Sequence, residues 1–232
     1  MNNPRGRNVS RRLEDRRLKL RAFVLCCAAL GVSFVGGCAS EETQDVTNQP
    51  KAVETSAAQN TKAEEWSFQL LDGSVLTPFK ATGTKAIVLV FTATDCPIAN
   101  TYQPILASLQ QQYAKQGVQF IQVHPDRDAD VSKVETHAKE FQIEASIVLD
   151  RKLSLARRVN AEVTPEVFLI QRGNSAPVYR GAIDNQYAGF GKKRPSADNH
   201  FLADAIESLL SNQPITVART KPIGCFISYD EL

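Results

Sequence analysis

The chain has 232 residues, of which 43% are hydrophobic and 22% are charged, a composition typical of one globular domain. Its formal net charge is +2, but eight of the 27 Lys and Arg residues lie within residues 1–37, and the remainder has 19 basic and 23 acidic residues. This distribution excludes a basic surface for nucleic acid, so we expect no nucleic-acid partner.

The first 38 residues have the pattern of an export signal. Six basic residues between positions 11 and 21 precede an apolar run over 22–35, which suits a signal peptide and is short for a membrane span. The following Val-Gly-Gly-Cys at 35–38 resembles the lipobox of bacterial lipoproteins. That resemblance implies a signal peptide over 1–37, cleavage before Cys38, and a diacylglycerol on the Cys38 thiol.

We therefore expect an exported protein that is lipid-anchored to a bacterial membrane and faces the periplasm or the cell exterior. An ordinary N-terminal anchor, or a signal cut elsewhere, is the alternative. Residues 38–65 then form a lipidated cysteine and a disordered tether, because the segment has almost no large apolar side chain to offset its chain entropy.

Residues 66–232 are assigned to one domain with a C-terminal tail, in which strands and helices alternate. Alternation around a continuous apolar strand predicts an α/β fold, with a central mixed sheet and helices on both faces. In chain order, the patterns predict a strand, turn and strand over 66–76, a buried strand over 86–91, a helix over 97–113, a strand over 118–123, a helix within 130–141, a strand over 146–149, a short helix over 153–159, an antiparallel hairpin of 167–171 with 178–180, a helix over 198–210, and an irregular tail.

Cys96 lies where the buried strand passes into the first long helix. Pro97 suits the first helical position, where its missing N–H costs no hydrogen bond, and this places Cys96 at the N-cap. The free amides and the helix dipole there favour a thiolate and lower the cysteine pKa. The turn therefore predicts an attacking sulfur.

Of the five cysteines, Cys26 and Cys27 lie in the predicted signal and Cys38 would be lipidated, which leaves Cys96 and Cys225 in the domain. Two cysteines of an exported domain can pair. The sequence leaves three alternatives open for Cys225: a resolving thiol for Cys96, half of a static disulfide, or no contact with Cys96.

Thr164-Pro165, directly before a predicted strand, resembles the cis-proline loop of thioredoxin-like proteins. Together with Asp-Gly-Ser at 72–74, Thr-Asp-Cys-Pro at 94–97, Val-Leu-Asp at 148–150 and Tyr-Arg-Gly at 179–181, it makes the segment from Trp66 to about Leu210 resemble the redoxin branch of the thioredoxin-like superfamily. That branch includes the alkyl hydroperoxide reductase and thiol-specific antioxidant group. The resemblance implies a thioredoxin-like fold and a redox-active Cys96, faced by Thr164 and Pro165.

Three residues depart from the family patterns. Ala99 stands where a Cys-x-x-Cys motif has its second cysteine, and Ala93 stands where peroxiredoxins have Thr or Ser. The carboxylate of Asp95 opposes thiolate formation at Cys96. Cys225 is therefore the candidate for the missing second thiol.

The leading prediction is a thiol-dependent oxidoreductase, peroxiredoxin-like or of the thiol–disulfide type, with Cys96 as its single nucleophile. Its partners would be a small peroxide, or a protein or low-molecular-weight disulfide, and an external thiol reductant, and no cofactor is expected. One alternative is a non-enzymatic thioredoxin-like binding or scaffold module. A second is a copper-handling protein with Cys96, Cys225 and His124 as ligands, although no His or Cys pair has a metal-ligand spacing and we expect no metal site.

Three further polar residues carry weaker expectations. His137 is predicted to be solvated, because charged residues flank it on its helix. Arg180 is either a thiolate partner or an exposed strand arginine, and Asp150 is expected to cap a turn.

Overall fold

The computed structural model describes residues 66–229. The predicted signal peptide, Cys38 and the tether lie outside these residues. None of the helices in this part of the chain is long and apolar enough to cross a bilayer.

A five-stranded mixed sheet forms the centre of the fold, with strand order β5-β4-β3-β7-β8. Strands β3, β4 and β5 are parallel, whereas β7 and β8 are antiparallel to their neighbours. The elements are β1 (Phe68–Gln69), β2 (Val75–Leu76), a 3-10 turn (Pro78–Lys80), β3 (Ala86–Phe91), α1 (Pro97–Ala114), β4 (Val118–His124), α2 (Val131–Glu140), β5 (Ser146–Leu149), α3 (Ser154–Val159), β6 (Val163–Thr164), β7 (Glu166–Gln171), β8 (Tyr179–Gly181), β9 (Tyr187–Gly189), β10 (Lys192–Lys193), α4 (Phe201–Leu210) and β11 (Cys225–Phe226).

The central strand β3 is buried on both faces, as its apolar run predicts. Val88 and Val90 pack into a cluster with residues of α1 and α4 on one face of the sheet. Leu89 and Phe91 pack on the opposite face, in a cluster that includes residues of α3. This alternation, the period of two of a strand, confirms a central sheet with helices on both faces.

The local structure differs from the sequence expectations at three places. The tail was expected to be irregular, but Cys225 and Phe226 form β11, which pairs antiparallel with β6. A second hairpin, β9–β10, lies between β8 and α4, where the sequence pattern predicted no strand. The last helix begins at Phe201, three residues later than predicted.

Candidate functional site

Cys96 caps the N-terminus of α1 and follows the central strand. Its backbone is extended, with φ −87° and ψ 106°, and Pro97 occupies the first turn of the helix. The Ala99 amide N–H donates a hydrogen bond to Cys96 Sγ at 3.5 Å. The sulfur therefore accepts from a free amide at the positive end of the helix, as the sequence predicted.

The Thr164–Pro165 loop faces this sulfur. The Thr164–Pro165 peptide bond is cis, as the resemblance implied. The Cys96 thiol donates a hydrogen bond to the Thr164 carbonyl oxygen at 3.0 Å, and both residues are buried. The structure thus brings together the two sequence motifs, although 68 residues separate them.

The tail pairs with β6, the strand that leads into this loop. Strand β11 pairs with β6, with Cys225 opposite Thr164 and Phe226 opposite Val163. Beyond the strand, the Ile227 N–H donates to the Glu162 carbonyl oxygen at 3.0 Å, and the Tyr229 hydroxyl donates to the Ala161 carbonyl oxygen at 2.6 Å. We call this set of contacts, between residues 224–229 and residues 161–164, the tail clasp.

The tail clasp places the two cysteines in contact. Cys96 Sγ and Cys225 Sγ are 2.8 Å apart, and both are free thiols. Of the alternatives that the sequence left open, the absence of contact is thereby contradicted. A resolving thiol and a static disulfide are both compatible with this distance, because a disulfide needs only a small further approach.

Cys96 and Cys225 differ in acidity. The Cys225 thiol donates a hydrogen bond to the Cys96 sulfur, which favours the thiolate of Cys96 and the protonated form of Cys225. Burial raises the pKa of Cys96, but hydrogen bonds from the Cys225 thiol and the Ala99 amide outweigh it, so the pKa of Cys96 lies below its ordinary value. Burial, the hydrogen bond to Cys96 and the negative charge of Cys96 raise the pKa of Cys225 to about 12. Cys96 is therefore the more acidic thiol of the pair, and Cys225 donates the hydrogen bond between them.

A surface cleft of about 640 Å³ opens beside the pair. Cys225, Thr164 and the 82% exposed side chain of Phe226 line it. Four carboxylates and two cations also line this cleft: Asp95, Asp126, Asp128, Asp130, Arg127 and Lys133. Its lining therefore carries net negative charge.

His124 lies at the end of β4 and lines the same cleft. It is buried, and its Nε2 has no hydrogen-bond partner. Burial and the neighbouring His137 lower its pKa to about 4, so the ring is neutral at physiological pH.

The expectation of a solvated His137 was wrong. The side chain is 5% exposed, its Nε2 is 2.8 Å from Asn100 Oδ1, and its ring lies against Phe141. Charged neighbours along the chain do not decide the exposure of a helical residue, because the inward face is set by the three- and four-residue spacing.

Three buried polar side chains form a hydrogen-bonded cluster near the Cys96 turn, and the sequence pattern did not predict it. The side-chain amides of Gln103 and Gln122 bond to each other at 2.7 Å, and Gln103 also donates to Thr92 Oγ1 at 3.3 Å. All three residues are buried. The available signal was Gln122, a polar residue between the apolar Ile121 and Val123 in β4.

Arg180 fulfils neither of its expected roles among the contacts that the structure describes. Its guanidinium bonds to Glu166 Oε1 at 2.9 Å and to the Asn160 carbonyl oxygen at 2.7 Å, and its side chain is 19% exposed. Glu166 is itself only 1% exposed. Arg180 therefore neutralises a buried carboxylate next to Pro165.

Asp150 accepts hydrogen bonds from the backbone amides of Ser154 and Ala156 and so caps α3, as expected.

Within residues 66–229, no group of three or more His, Cys, Asp or Glu side chains is arranged to hold a metal ion.

Comparison with solved structures supports the fold assignment. A hypothetical protein from Sinorhizobium meliloti 1021 is 22% identical with a TM-score of 0.63, over 74% of this chain and 94% of that one. An uncharacterized conserved protein from Geobacillus kaustophilus is 21% identical with a TM-score of 0.64, over 74% and 92%. A candidate thiol:disulfide interchange protein DsbE from Chlorobium tepidum is 22% identical with a TM-score of 0.50, over 64% and 95%. At these identities the likeness shows a thioredoxin-like fold.

Among curated proteins, no relative matches the sequence. The Redoxin family model matches residues 43–175, more than half of the chain. The match includes Cys96, Thr164 and Pro165, whereas Cys225 lies beyond it. The chain belongs to the redoxin family.

Proposed function

We propose that this redoxin is a thiol-based oxidoreductase that cycles between a Cys96/Cys225 dithiol and a Cys96–Cys225 disulfide. The observation that carries the proposal is the 2.8 Å separation of the two sulfurs at a helix N-terminus. Cys96 is the nucleophile, Cys225 resolves, and Pro97, Thr164 and Pro165 shape the site around the reacting sulfur.

With a disulfide substrate, the Cys96 thiolate attacks one sulfur, a mixed disulfide forms, and the other substrate sulfur leaves as a thiolate. Cys225 then loses its proton and attacks the Cys96 sulfur, which releases the second substrate thiolate. Two electrons pass from the protein to the substrate, and an external thiol reductant restores the dithiol. Because Cys96 is 1% exposed, a bulky substrate reaches it only when the tail clasp opens.

Peroxide is the second candidate substrate, and the same burial of Cys96 favours it, because a peroxide is small. The Cys96 thiolate attacks the hydroxyl-bearing oxygen of the peroxide, the O–O bond breaks, and the leaving alkoxide or hydroxide takes a proton from water and departs as the alcohol or as water. The product is a sulfenic acid on Cys96. Cys225 attacks that sulfur, a disulfide forms, and water leaves.

The test uses the fully reduced full chain and compares hydrogen peroxide with cystine, each at one equivalent. Mass analysis of the cysteine peptides over time reports sulfenic acid, mixed disulfide and the internal disulfide separately. We expect the internal disulfide with at least one of the two oxidants, and a stalled Cys96 adduct in Cys225→Ser. The oxidant that reacts about tenfold or more faster with the protein than with free cysteine is the substrate class.

Two results would contradict the proposal. Thiols at Cys96 and Cys225 that stay unchanged with both oxidants would favour a non-enzymatic binding module. Equal reactivity of the wild type and Cys96→Ser would remove Cys96 as the nucleophile.

We also propose that the protein is exported and lipid-anchored through Cys38, which rests on the sequence pattern at 35–38. Growth of the expressing bacterium with a palmitate analogue that can be labelled should mark the wild type and leave Cys38→Ala unmarked. Labelling of both proteins would contradict anchoring at Cys38.

A further inference from the structure

We propose that the external thiol that re-reduces the protein attacks the sulfur of Cys225, with Cys96 as the leaving thiolate. The inference rests on the proposed dithiol–disulfide cycle. It assigns the two directions of that cycle to different sulfurs: the oxidant reacts at Cys96, and the reductant reacts at Cys225.

The sulfurs of Cys96 and Cys225 differ in their accessibility. Cys96 is 1% exposed and lies beneath the Thr164 loop, whereas Cys225 is partly exposed and lines the cleft. A thiolate attacks a disulfide along the S–S axis, from the side opposite the leaving sulfur. Cys225 is open to attack from the cleft, whereas Cys96 does not line the cleft and packs among the buried residues around α1.

Leaving-group chemistry also favours attack on Cys225. The better leaving sulfur is the one whose thiolate is the more stable. The Ala99 amide and the helix N-terminus stabilise negative charge on Cys96, whereas Cys225 has no comparable donor in its described contacts. Burial raises the pKa of the Cys225 thiol, and no comparable donor among its described contacts offsets it, so Cys225 is the poorer leaving group of the two.

The reaction balances with two equivalents of an external monothiol. The first thiolate bonds to Cys225 Sγ, the Cys225–Cys96 bond breaks, and its electron pair leaves on Cys96. The second thiolate attacks the external sulfur of the mixed disulfide, which frees Cys225. Cys225 takes a proton, and the small disulfide departs with the two oxidised sulfurs.

The test locates the mixed disulfide directly. The full chain is oxidised with diamide, and formation of the Cys96–Cys225 disulfide is checked by peptide mass. The disulfide form is then exposed briefly to 2-mercaptoethanol, quenched with acid, and treated with N-ethylmaleimide. We expect the mercaptoethanol adduct on Cys225 and the maleimide on Cys96, and the reverse pattern would overturn the inference.

A second measurement covers the case in which the adduct collapses before it is trapped. Cys96→Ser and Cys225→Ser are each treated with Ellman's reagent, so that both carry the same leaving group. Dithiothreitol should release it from Cys225 about tenfold or more faster than from Cys96. Equal release, or faster release from Cys96, would overturn the inference.

Failure of diamide to form the internal disulfide would contradict the proposed function and with it the inference. Formation of the disulfide followed by attack at Cys96 would contradict the inference alone.

Discussion

Gly224 lies against the Thr164 carbonyl, so closely that a methyl group in place of its hydrogen would sit 2.1 Å from that oxygen. No side chain fits at that distance. The close approach is what lets the next residue, Cys225, pair with Thr164 and reach Cys96.

We therefore expect Gly224→Ala to loosen the tail clasp and move the Cys225 sulfur away from Cys96. Diamide should form the internal disulfide about tenfold more slowly than in the wild type, because the reaction needs the two sulfurs in contact. Gly83→Ala is the matched control, because a methyl group there meets nothing within 4 Å. Disulfide formation at the wild-type rate in Gly224→Ala would contradict the positioning role of this glycine.

The acidity of Cys96 should depend on the hydrogen bond from Cys225. Cys225→Ala removes that donor, so the pKa of Cys96 should rise, whereas Cys225→Ser keeps a hydroxyl donor and should raise it less. The absorbance of the thiolate at 240 nm against pH measures both variants, with Cys96→Ser as the blank. An equal pKa of Cys96 in the alanine and serine variants would show that the donor has no effect.

Stability should fall in mild acid because of His124. Its pKa is about 4 in the folded protein and 6.5 for an unperturbed ring, so the unfolded chain binds more protons between these values. The free energy of unfolding should therefore decrease as the pH falls through this window, by up to about 3 kcal/mol. Urea unfolding at several pH values should show a shallower decrease in His124→Gln, and an unchanged slope would contradict a buried neutral ring.

Breaking the ion pair of Arg180 and Glu166 should destabilise the fold without changing the thiols. Arg180→Met leaves the buried Glu166 carboxylate without its cation and should cost about 3 kcal/mol of unfolding free energy. The double variant Arg180→Met with Glu166→Gln should recover part of that loss. A shifted pKa of Cys96 in Arg180→Met would instead support a direct role of Arg180 at the thiolate.

The charge of the cleft should select among small thiols. Four carboxylates and two cations line it, so the positively charged cysteamine should reduce the oxidised protein faster than the negatively charged 3-mercaptopropionate. Each rate is normalised to the reaction of the same thiol with cystine. The ratio of the cysteamine rate to the 3-mercaptopropionate rate should decrease as salt is added, and it should be smaller in Asp128→Asn than in the wild type. A ratio that is independent of salt would contradict electrostatic selection.

The sequence predicted most of the sheet and the helices because they depend on local periodicity. The run over 86–91 and the spacing of apolar residues after Pro97 predicted β3 and α1 almost to the residue. Cys96 at the N-cap followed from the same turn, because a proline at the first helical position is a local signal. The family resemblance correctly implied the cis bond before Pro165.

What the sequence could not predict depends on contacts between distant segments. Strand β11 has only two residues and is held by β6, some 60 residues earlier, so no periodicity marks it. The contact of Cys96 with Cys225 has the same origin, since 129 residues separate them.

The tail clasp also has a consequence for folding, because it forms after the central sheet. Residues 224–227 dock on residues 162–164, which lead directly into β7, and β7 takes its position from its pairing with β3. The tail can therefore dock only after that pairing has formed. Cys96 is therefore uncovered in a chain whose domain has folded but whose tail has not yet docked. During that interval, other thiols and disulfides in its surroundings compete with Cys225 for the reactive sulfur.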